Sequence, residues 1–202
     1  MTIPTVATGI KVFTPTECKQ IIELCSPLVQ TSSIIDNGKK QIEKKNIRQS
    51  KSIGLASDNP KFKPIQPLLS KAVDALIHIS QVNFYCTPVG VDPIQFASYE
   101  PNDYYQFHID SSVEIPRSMS ASVLLSSPLD FKNGDLCFRD LESIDAQEKK
   151  PNGVPISLQQ GEIVVFPSLL MHQILPITEG IRHSLVLWSF TEEMLVTKNK
   201  KK

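Results

Sequence analysis

The segment YYQFHID, which runs from Tyr104 to Asp110, places an imidazole and a carboxylate two residues apart in otherwise apolar company. Residues two apart lie on the same face of a β-strand, so His108 and Asp110 would project together. Phe107 and Ile109 would then pack on the opposite side. Burial of an unpaired neutral polar group costs about 2 to 7 kcal/mol, and burial of a charge costs more. A metal ion between the two side chains would offset that cost.

A third metal ligand is expected at His172, in the late apolar segment FPSLLMHQILPI. A His-x-Asp pair with a distant histidine is typical of the two-His, one-carboxylate facial triad, which leaves positions open for a substrate, a cofactor or oxygen. The same side chains would also suit zinc, and hydrogen-bonded core histidines would satisfy the pattern as well. His78 is expected to be structural, and His183 to face away from the metal.

The position of Arg182 favours the iron interpretation. This residue follows His172 by ten positions, across the turn PITEG, in the segment RHSLVLWSF. If the two segments are adjacent antiparallel strands, the guanidinium reaches the pocket that holds the metal, on the strand face shared with Ser184 and Trp188. A cation in an apolar interior requires an anion, and arginine grips a carboxylate through two parallel hydrogen bonds. The expected ligand is a five-carbon dicarboxylate that chelates iron through its 2-oxo acid end.

The elements that must position these residues change in character along the chain. Thr14, Pro15 and Glu17 predict the start of a first helix, and an apolar stripe predicts a second helix from about residue 65 to residue 79. Short apolar runs then predict strands: IQFASY, YYQFHI, SASVLLS, DLCF, EIVVFP, MHQIL and RHSLVLWSF. Without a βαβ rhythm, the pattern predicts a mainly β fold with flanking helices, a sandwich or closed jelly roll.

A polar segment separates the two predicted helices. It reads TSSIIDNGKKQIEKKNIRQSKS and has a turn signal at Asn37-Gly38. We expect this part of residues 31–60 to form a charged hairpin or a mobile flap over the active site. In a flap, Arg48 would meet the substrate.

The composition limits the class of protein. The chain has 202 residues, of which 41% are hydrophobic, and its formal net charge is zero. These values suit one globular domain and argue against binding to nucleic acid or to an anionic membrane surface. The sequence shows no secretory signal and no apolar run of the ~18 residues that a membrane span needs. The four cysteines, Cys18, Cys25, Cys86 and Cys137, lack zinc-ribbon spacing. The first two lie seven residues apart, on one face of a helix, so we expect two buried thiols in a reducing, cytoplasmic compartment.

From Tyr99 to Phe190 the sequence resembles the 2-oxoglutarate- and Fe(II)-dependent oxygenases, in particular the prolyl 4-hydroxylase-like branch and its microbial PKHD-type hydroxylases. The matching stretches are SYEPNDYYQFHID, RSMSASVLLSSPLDFKNGDLCF and ISLQQGEIVVFPSLLMHQILPITEGIRHSLVLW. They combine His-x-Asp, the distant histidine, the arginine ten residues later and a tryptophan six residues after that. Residues 1–90 match only through FTPTEC and IRQS.

The resemblance implies a double-stranded β-helix, the cupin-like form of the jelly roll. It implies iron ligands at His108, Asp110 and His172, and binding of the distal carboxylate of 2-oxoglutarate by Arg182. The implied cofactor and co-substrates are Fe(II), 2-oxoglutarate and O2, with ascorbate as a candidate reductant. Leu125 stands near the position where some relatives offer a tyrosine to the co-substrate.

The resemblance also implies residues around this centre. Because of the leucine, the arginine would rely on Ser184 or Tyr99, and both are expected to contact the co-substrate. Tyr105 and Trp188 match aromatic positions on the substrate side. Arg48 is a further candidate for substrate binding.

We expect one oxygenase domain over residues 1–202, with helical support and a candidate substrate flap in 1–90, a metal-binding jelly-roll core in 91–192 and a basic tail in 193–202. The expected reaction is hydroxylation of an unactivated C–H, of a prolyl or another side chain in a protein or peptide, with release of succinate and CO2. Two alternatives remain open: hydroxylation of a free amino acid or other small metabolite, and a non-catalytic metal-binding jelly-roll module. The sequence does not determine the oligomeric state.

Overall fold

The computed structural model describes residues 5–32, 34–36, 40–42, 46–139 and 153–199. The helices in these ranges are α1 (Pro15–Cys25), α2 (Gln66–Phe84), α3 (Glu192–Asn199) and the 3-10 helices Ser26–Leu28 and Pro60–Ile65. None of these described helices has both the length and the hydropathy to cross a lipid bilayer. The strands of the same ranges are β1 (Ala7–Lys11), β2 (Gln30–Thr31), β3 (Ile34–Asp36), β4 (Lys40–Ile42), β5 (Arg48–Gln49), β6 (Lys51–Leu55), β7 (Gly90–Val91), β8 (Ile94–Tyr99), β9 (Tyr104–His108), β10 (Met119–Leu124), β11 (Phe131–Asn133), β12 (Leu136–Phe138), β13 (Val154–Ile156), β14 (Glu162–Pro167), β15 (His172–Ile174), β16 (Ile177–Gly180) and β17 (Arg182–Phe190).

Two antiparallel sheets form the body of the fold. The larger, eight-stranded sheet has the order β1-β14-β10-β17-β8-β6-β2, with β7 paired to β17. The smaller sheet has the order β13-β12-β15-β9-β5. Short pairs, β11-β16 and β3-β4, lie outside these two sheets. The arrangement confirms the predicted jelly-roll type of fold with flanking helices.

Helices α1 and α2 cover the outer face of the larger sheet. Ile21 of α1 and Leu76 of α2 share one buried cluster with Val123, Val165 and Leu185, which come from the three central strands. This apolar layer explains the helical spacing of the first two segments, because each helix buries one stripe of its surface against the sheet.

A second buried cluster fills the space between the two sheets. It includes Val164 and Phe166 from the larger sheet and Phe138 and Ile174 from the smaller one. Because both faces of the larger sheet are covered, strand β10 is buried at all 6 of its positions. Alternate side chains of β10, β14 and β17 therefore enter two different layers, the helix side and the interior.

The predicted elements agree well with the observed ones. Strands β8, β14 and β17 coincide with three of the predicted runs, and the capping box of α1 is present, with the Glu17 N–H donating to Thr14 Oγ1 at 3.3 Å. The helix ends at Cys25 and passes into a 3-10 turn that contains Pro27, which has no N–H for a further helical bond. Helix α2 continues past the expected end to Phe84, because Ser80 and Phe84 are also buried on its inner face.

The first 90 residues do more than support the jelly roll. Strands β1, β2 and β6 belong to the larger sheet and β5 to the smaller one, so the expected boundary at residue 91 does not separate helices from sheet. The hairpin alternative fits β3 and β4, which pair Asp36 with Lys40, whereas Asn37-Gly38 lies outside the described residues. The expected basic tail begins inside α3, and residues 200–202 lie outside the described ranges.

Removal of the α1 cap should lower stability. The substitution Thr14→Ala deletes the hydroxyl that accepts the Glu17 N–H, and we expect the free energy of unfolding to fall by about 1 kcal/mol. Thr16→Ala is the matched control, since Thr16 is an exposed threonine within the same helix. Urea denaturation followed by circular dichroism compares the two variants. Equal loss in both variants would contradict the capping role.

Candidate active site

Two histidines and one aspartate converge where the smaller sheet meets the turn after β9. His108 ends β9 and pairs directly with His172, the first residue of β15. Asp110 follows β9, and its backbone N–H donates to the Ser168 carbonyl at 2.8 Å. One potential ligand atom from each of the three side chains lies within 4.8 Å of the other two. The structure thus brings together the three residues that the sequence selects as metal ligands.

Both imidazoles are oriented for ligation through Nε2. The Nδ1–H of His108 donates to the Gln106 carbonyl and that of His172 to the Leu170 carbonyl, each at 2.8 Å. The Nε2 atoms lie 3.6 Å and 3.5 Å from Asp110 Oδ1 and Oδ2 respectively. A backbone acceptor on Nδ1 fixes the tautomer in which Nε2 carries the lone pair that a metal needs.

The electrostatics of the three residues suit a divalent cation. Burial, reinforced by the charge of His172, lowers the pKa of His108 to about 3. Burial by itself would raise the pKa of Asp110, but His172 and His108 and the hydrogen bond from Ser120 lower it overall. His108 is therefore neutral and Asp110 ionised near neutral pH. These are the protonation states that metal ligands require.

Arg182 projects from the start of β17 into the same interior. It is only 3% exposed, and its Nη1–H donates to Ser184 Oγ at 3.2 Å. Tyr99 is its partner on β8, and the Tyr99 ring centroid lies 6.0 Å from the guanidinium carbon. Among the described residues, none places a carboxylate within ion-pair distance of this buried cation, although Asp135 acts on its pKa from further away.

A pocket of about 180 Å³ adjoins the guanidinium of Arg182. Its lining is mixed: leucine, isoleucine, proline and phenylalanine side chains alternate with the polar residues Asn133, Asp135 and Ser157. The three metal-ligand candidates do not line it. Leu124 lines this pocket, whereas Leu125, the leucine singled out from the sequence, lies in the helix-side cluster.

Tyr105 stacks on the ring of His108, with centroids 3.5 Å apart and an interplanar angle of 13°. Strict alternation along β9 would put Tyr105 and His108 on opposite faces. A register shift opposite β15 brings them to one side, because His108 pairs with His172 while Tyr105 pairs with Ile174. Burial raises the pKa of Tyr105 to about 12, so its phenol stays neutral.

Arg48 packs against the ring of Tyr105. Its guanidinium carbon is 4.8 Å from the Tyr105 ring centroid, and it donates to Ser50 Oγ and Gln95 Oε1. The flap alternative would place Arg48 over the substrate, whereas the structure places it in a strand of the smaller sheet. The residue is buried in β5, which pairs with β9, because strand pairing in the smaller sheet extends into the polar segment.

Trp188 lies beside Asp110 on the interior face of β17. Its indole N–H is buried and lacks a hydrogen bond of good geometry within the described structure, yet its interaction with the Asp110 carboxyl helps to lower that pKa. Arg117 covers the ring, with 4.1 Å between the guanidinium carbon and the ring centroid, and forms an ion pair with Asp92.

Sequence reasoning missed the polar residues that surround Asp110. Ser120 and Ser168 are completely buried next to its carboxylate, and Arg117 donates to its backbone carbonyl at 3.2 Å. The segment RSMSASV did carry a signal, since its serines occupy alternate positions in a buried strand. Such alternation indicates a polar strip on one face.

His183 faces away from the metal, as alternation along β17 predicts. Its ring stacks on Phe96 at 5.4 Å, and its nitrogens lie 3.4 Å from Ser26 Oγ and 3.3 Å from Ser126 Oγ. Burial and the neighbouring charge of Arg182 lower its pKa to about 4. His78 is exposed on α2, remote from these groups in the fold.

Comparison with known families agrees with this geometry. Residues 94–190 match the model of the 2OG-Fe(II) oxygenase superfamily, and this range contains the three metal-ligand candidates and Arg182. This part of the chain belongs to the 2OG-Fe(II) oxygenase superfamily. The sequence-based assignment to these oxygenases is confirmed.

Several PKHD-type hydroxylases are similar to this oxygenase in sequence. One from Xanthomonas campestris pv. campestris (strain 8004) is 24% identical over 187 residues, which cover 88% of this chain and 75% of the relative. One from Janthinobacterium sp. (strain Marseille) is 29% identical over 109 residues, or 50% of this chain and 44% of the relative. Another from X. campestris pv. campestris (strain B100) is matched over 60% of its length. The chain thus spans about half the length of two of these curated relatives.

Solved structures share the fold. A prolyl hydroxylase from Trichoplax adhaerens, in complex with a hypoxia inducible factor peptide fragment, superposes with a TM-score of 0.74 at 18% identity, covering 98% of this chain and 87% of that one. A Pseudomonas putida prolyl-4-hydroxylase superposes with a TM-score of 0.64 at 17% identity, covering 93% of each chain.

Membership of the superfamily implies Fe(II), 2-oxoglutarate and O2. The residues present fit these groups. Two imidazole Nε2 atoms and one carboxylate form a donor set suited to Fe(II), and Arg182 is a buried cation with no ion-pair partner among the described residues. A dicarboxylate would supply the missing anion.

Loss of one imidazole should abolish tight metal binding. His172→Ala removes one of three ligands, and we expect the affinity for Mn(II), an oxygen-insensitive substitute for Fe(II), to fall by at least two orders of magnitude. His78→Ala, which deletes an exposed histidine, should bind Mn(II) like the wild type. Isothermal titration calorimetry provides the measurement. Unchanged affinity in His172→Ala would exclude this residue as a ligand.

His183 should make stability depend on pH. The unfolded chain takes up a proton near the ordinary pKa of 6.5, whereas folded His183 resists protonation down to about pH 4. Unfolding therefore consumes a proton in this window, and the free energy of unfolding should decline as the pH falls through it. His183→Asn should show a shallower decline than the wild type in denaturant titrations at several pH values. Parallel curves would contradict the lowered pKa.

Proposed function

We propose that this oxygenase uses Fe(II), 2-oxoglutarate and O2 to hydroxylate an unactivated C–H on a prolyl or other side chain of a protein or peptide, with release of succinate and CO2. The observation that carries the proposal is the convergence of His108, Asp110 and His172 in the same interior as Arg182. Without a bound ion, neither the three metal-ligand candidates nor Arg182 would be favourable in this interior, because each part buries charge that a bound ion would neutralise.

In this proposal His108, Asp110 and His172 hold the iron, and Arg182 binds the distal carboxylate of 2-oxoglutarate. Ser184 accepts a hydrogen bond from Arg182 and so orients the guanidinium fork, and Tyr99 lies opposite on β8 as a further contact to the co-substrate. Fe(II) and Arg182 together carry three positive charges. Asp110 and the dicarboxylate carry three negative charges, so the loaded interior is electrically balanced.

When bound, the iron, the 2-oxo acid and O2 supply the oxidising power that breaks the C–H bond. The chain contributes position and water exclusion. Nδ1–H bonds to backbone carbonyls fix both imidazoles, and Ser120 fixes the carboxylate of Asp110. Val164, Phe166 and Ile174 belong to the apolar cluster between the sheets, which keeps this interior dry.

The substrate side is assigned to Tyr105, Trp188 and Arg48. The two aromatic rings flank the metal-ligand candidates, and Arg48 lies against Tyr105. A peptide substrate is supported by the fold shared with prolyl hydroxylases, one of which was solved with a peptide fragment. Ascorbate is proposed as a reductant that keeps the metal ferrous.

We further propose that the chain acts as a single domain in a reducing, cytoplasmic compartment, without a nucleic-acid partner. All four cysteines are free, and Cys18, Cys25 and Cys137 are buried. Burial raises the pKa of these three thiols, to about 11 for Cys18 and Cys137 and about 12 for Cys25, which keeps them unreactive. The zero net charge supports the absence of a nucleic-acid partner.

The first test measures 2-oxoglutarate consumption with added Fe(II) in air. We expect turnover by the wild type, loss of turnover in His108→Ala, and a KM for 2-oxoglutarate raised at least about 10-fold in Arg182→Ala, because a charge-assisted bidentate contact is worth more than 1.4 kcal/mol. Lys132→Ala, which removes an exposed cation on β11 near the pocket, is the matched control. Equal rates in all four proteins would end the oxygenase proposal.

The second test separates peptide from metabolite substrates. Proline-containing peptides and free amino acids are incubated separately with the enzyme, Fe(II) and 2-oxoglutarate, and mass spectrometry detects the gain of one oxygen atom. We expect the gain on a peptide and matching succinate formation. Succinate formation that responds only to free amino acids would overturn the peptide assignment and favour the metabolite alternative.

A further inference from the structure

The carboxylate of Asp110 is held by a chain of two buried hydroxyls. Ser120 Oγ donates to Asp110 Oδ2 at 2.7 Å, and Ser168 Oγ lies 2.9 Å from Ser120 Oγ. Both serines have 0% exposure. Ser120 comes from the centre of the larger sheet and Ser168 from the turn after β14, so the pair ties two elements of the fold to Asp110.

The direction of the hydrogen bonds follows from the number of protons. A serine hydroxyl has one hydrogen to donate, and that of Ser120 is engaged by the carboxylate. The contact between the serines therefore requires Ser168 to be the donor and Ser120 the acceptor. Hydrogen bonds arranged in this order strengthen one another, and those to an ionised acceptor are the strong ones.

The backbone fixes the same geometry from the other side. The Asp110 N–H donates to the carbonyl of Ser168, and the Ser168 N–H donates to the carbonyl of Ser118 at 3.0 Å. Ser168 thus contacts Asp110 through its main chain and, by way of Ser120, through its side chain. The position of the carboxylate is determined by both routes.

The geometry points to Ser120 and Ser168 as positioning residues that, through the hydrogen bond to Oδ2, orient the carboxylate of Asp110 as a ligand of the iron. The inference rests on the proposed function. Iron held by two imidazoles and this carboxylate would keep further positions for the 2-oxo acid and O2, so the orientation of the Asp110 carboxylate would affect how well both the metal and the 2-oxo acid bind.

The chain offers a matched control on the same strand. Ser122 lies two residues after Ser120, faces the same interior and is 7% exposed, but it makes no hydrogen bond to the metal-ligand candidates within the described structure. Loss of either hydroxyl leaves a similar void in the same sheet. An effect specific to Ser120 therefore reports its contact with Asp110 and not the packing of β10.

The experiment compares Ser120→Ala, Ser168→Ala, the double variant and Ser122→Ala by calorimetric titration with Mn(II), and then titrates each Mn(II)-loaded protein with 2-oxoglutarate. We expect Ser120→Ala to weaken Mn(II) binding about 10- to 100-fold, the usual effect of losing a partner that orients a ligand, and to weaken 2-oxoglutarate binding as well. Ser168→Ala should have a smaller effect. Because Ser168 acts on the side chain through Ser120, the double variant should match Ser120→Ala, and Ser122→Ala should match the wild type.

Wild-type affinity in Ser120→Ala, equal losses in Ser120→Ala and Ser122→Ala, or additive losses in the double variant would each overturn the inference. Thermal unfolding checks that the variants are folded. Ser168→Ala tests the hydrogen bond from Ser168 to Ser120 and leaves intact the Ser120 hydroxyl that contacts Asp110. Binding of Mn(II) does not require turnover. If the wild type consumes no 2-oxoglutarate but Ser120→Ala alone binds Mn(II) weakly, the proposed function fails and the positioning role stands.

Discussion

The fold depends on one electrostatic constraint, the placement of the nearly buried Asp110 and the buried Arg182 between the two sheets. Each charge would be costly without a counter-ion, and the described residues give Arg182 no carboxylate partner. Two strand pairings bring the charges into one space. The β9–β15 pairing sets His108 against His172, and the β8–β17 pairing sets Tyr99 against Arg182. The sheets therefore do more than enclose a core: their registers decide which polar groups share the interior.

Rigidity around Arg182 comes from the covered faces of the larger sheet and from one glycine. Strand β17 alternates between the helix-side layer, where Leu185 and Leu187 pack, and the interior. Across the pocket Gly134 adopts a φ of +74°, and a Cβ there would lie 1.9 Å from Ile177 Cδ1 and 3.5 Å from Arg182 Cδ. Glycine suits this position, since other residues rarely adopt this φ and their Cβ would require the Ile177 side chain to move.

The sequence predicts residues whose placement follows from local periodicity, and it fails where placement depends on distant pairing. His108, Asp110 and Arg182 could be found because alternation along a strand and motif spacing fix them. The side of β9 on which Tyr105 lies does not follow from alternation, because a register shift against β15 turns it toward His108. Arg48 could not be placed, because the pairing of β5 with β9 joins residues 57 positions apart in sequence, Arg48 and Tyr105. The Ser120–Ser168 contact joins strand and turn in the same non-local way.

The two ends of the interior differ in a way that bears on substrate choice. At the Arg182 end the cation faces a pocket of mixed polarity and has no ion-pair partner among the described residues, as the proposed anionic co-substrate requires. At the metal end each flanking ring is covered by its own arginine, Tyr105 by Arg48 and Trp188 by Arg117. Both guanidinium groups pack on the rings through cation–π contact, and that of Arg117 is also paired with Asp92. Under the proposed function, a substrate would meet two aromatic walls at this end, which suits the apolar ring or chain of a peptide side chain.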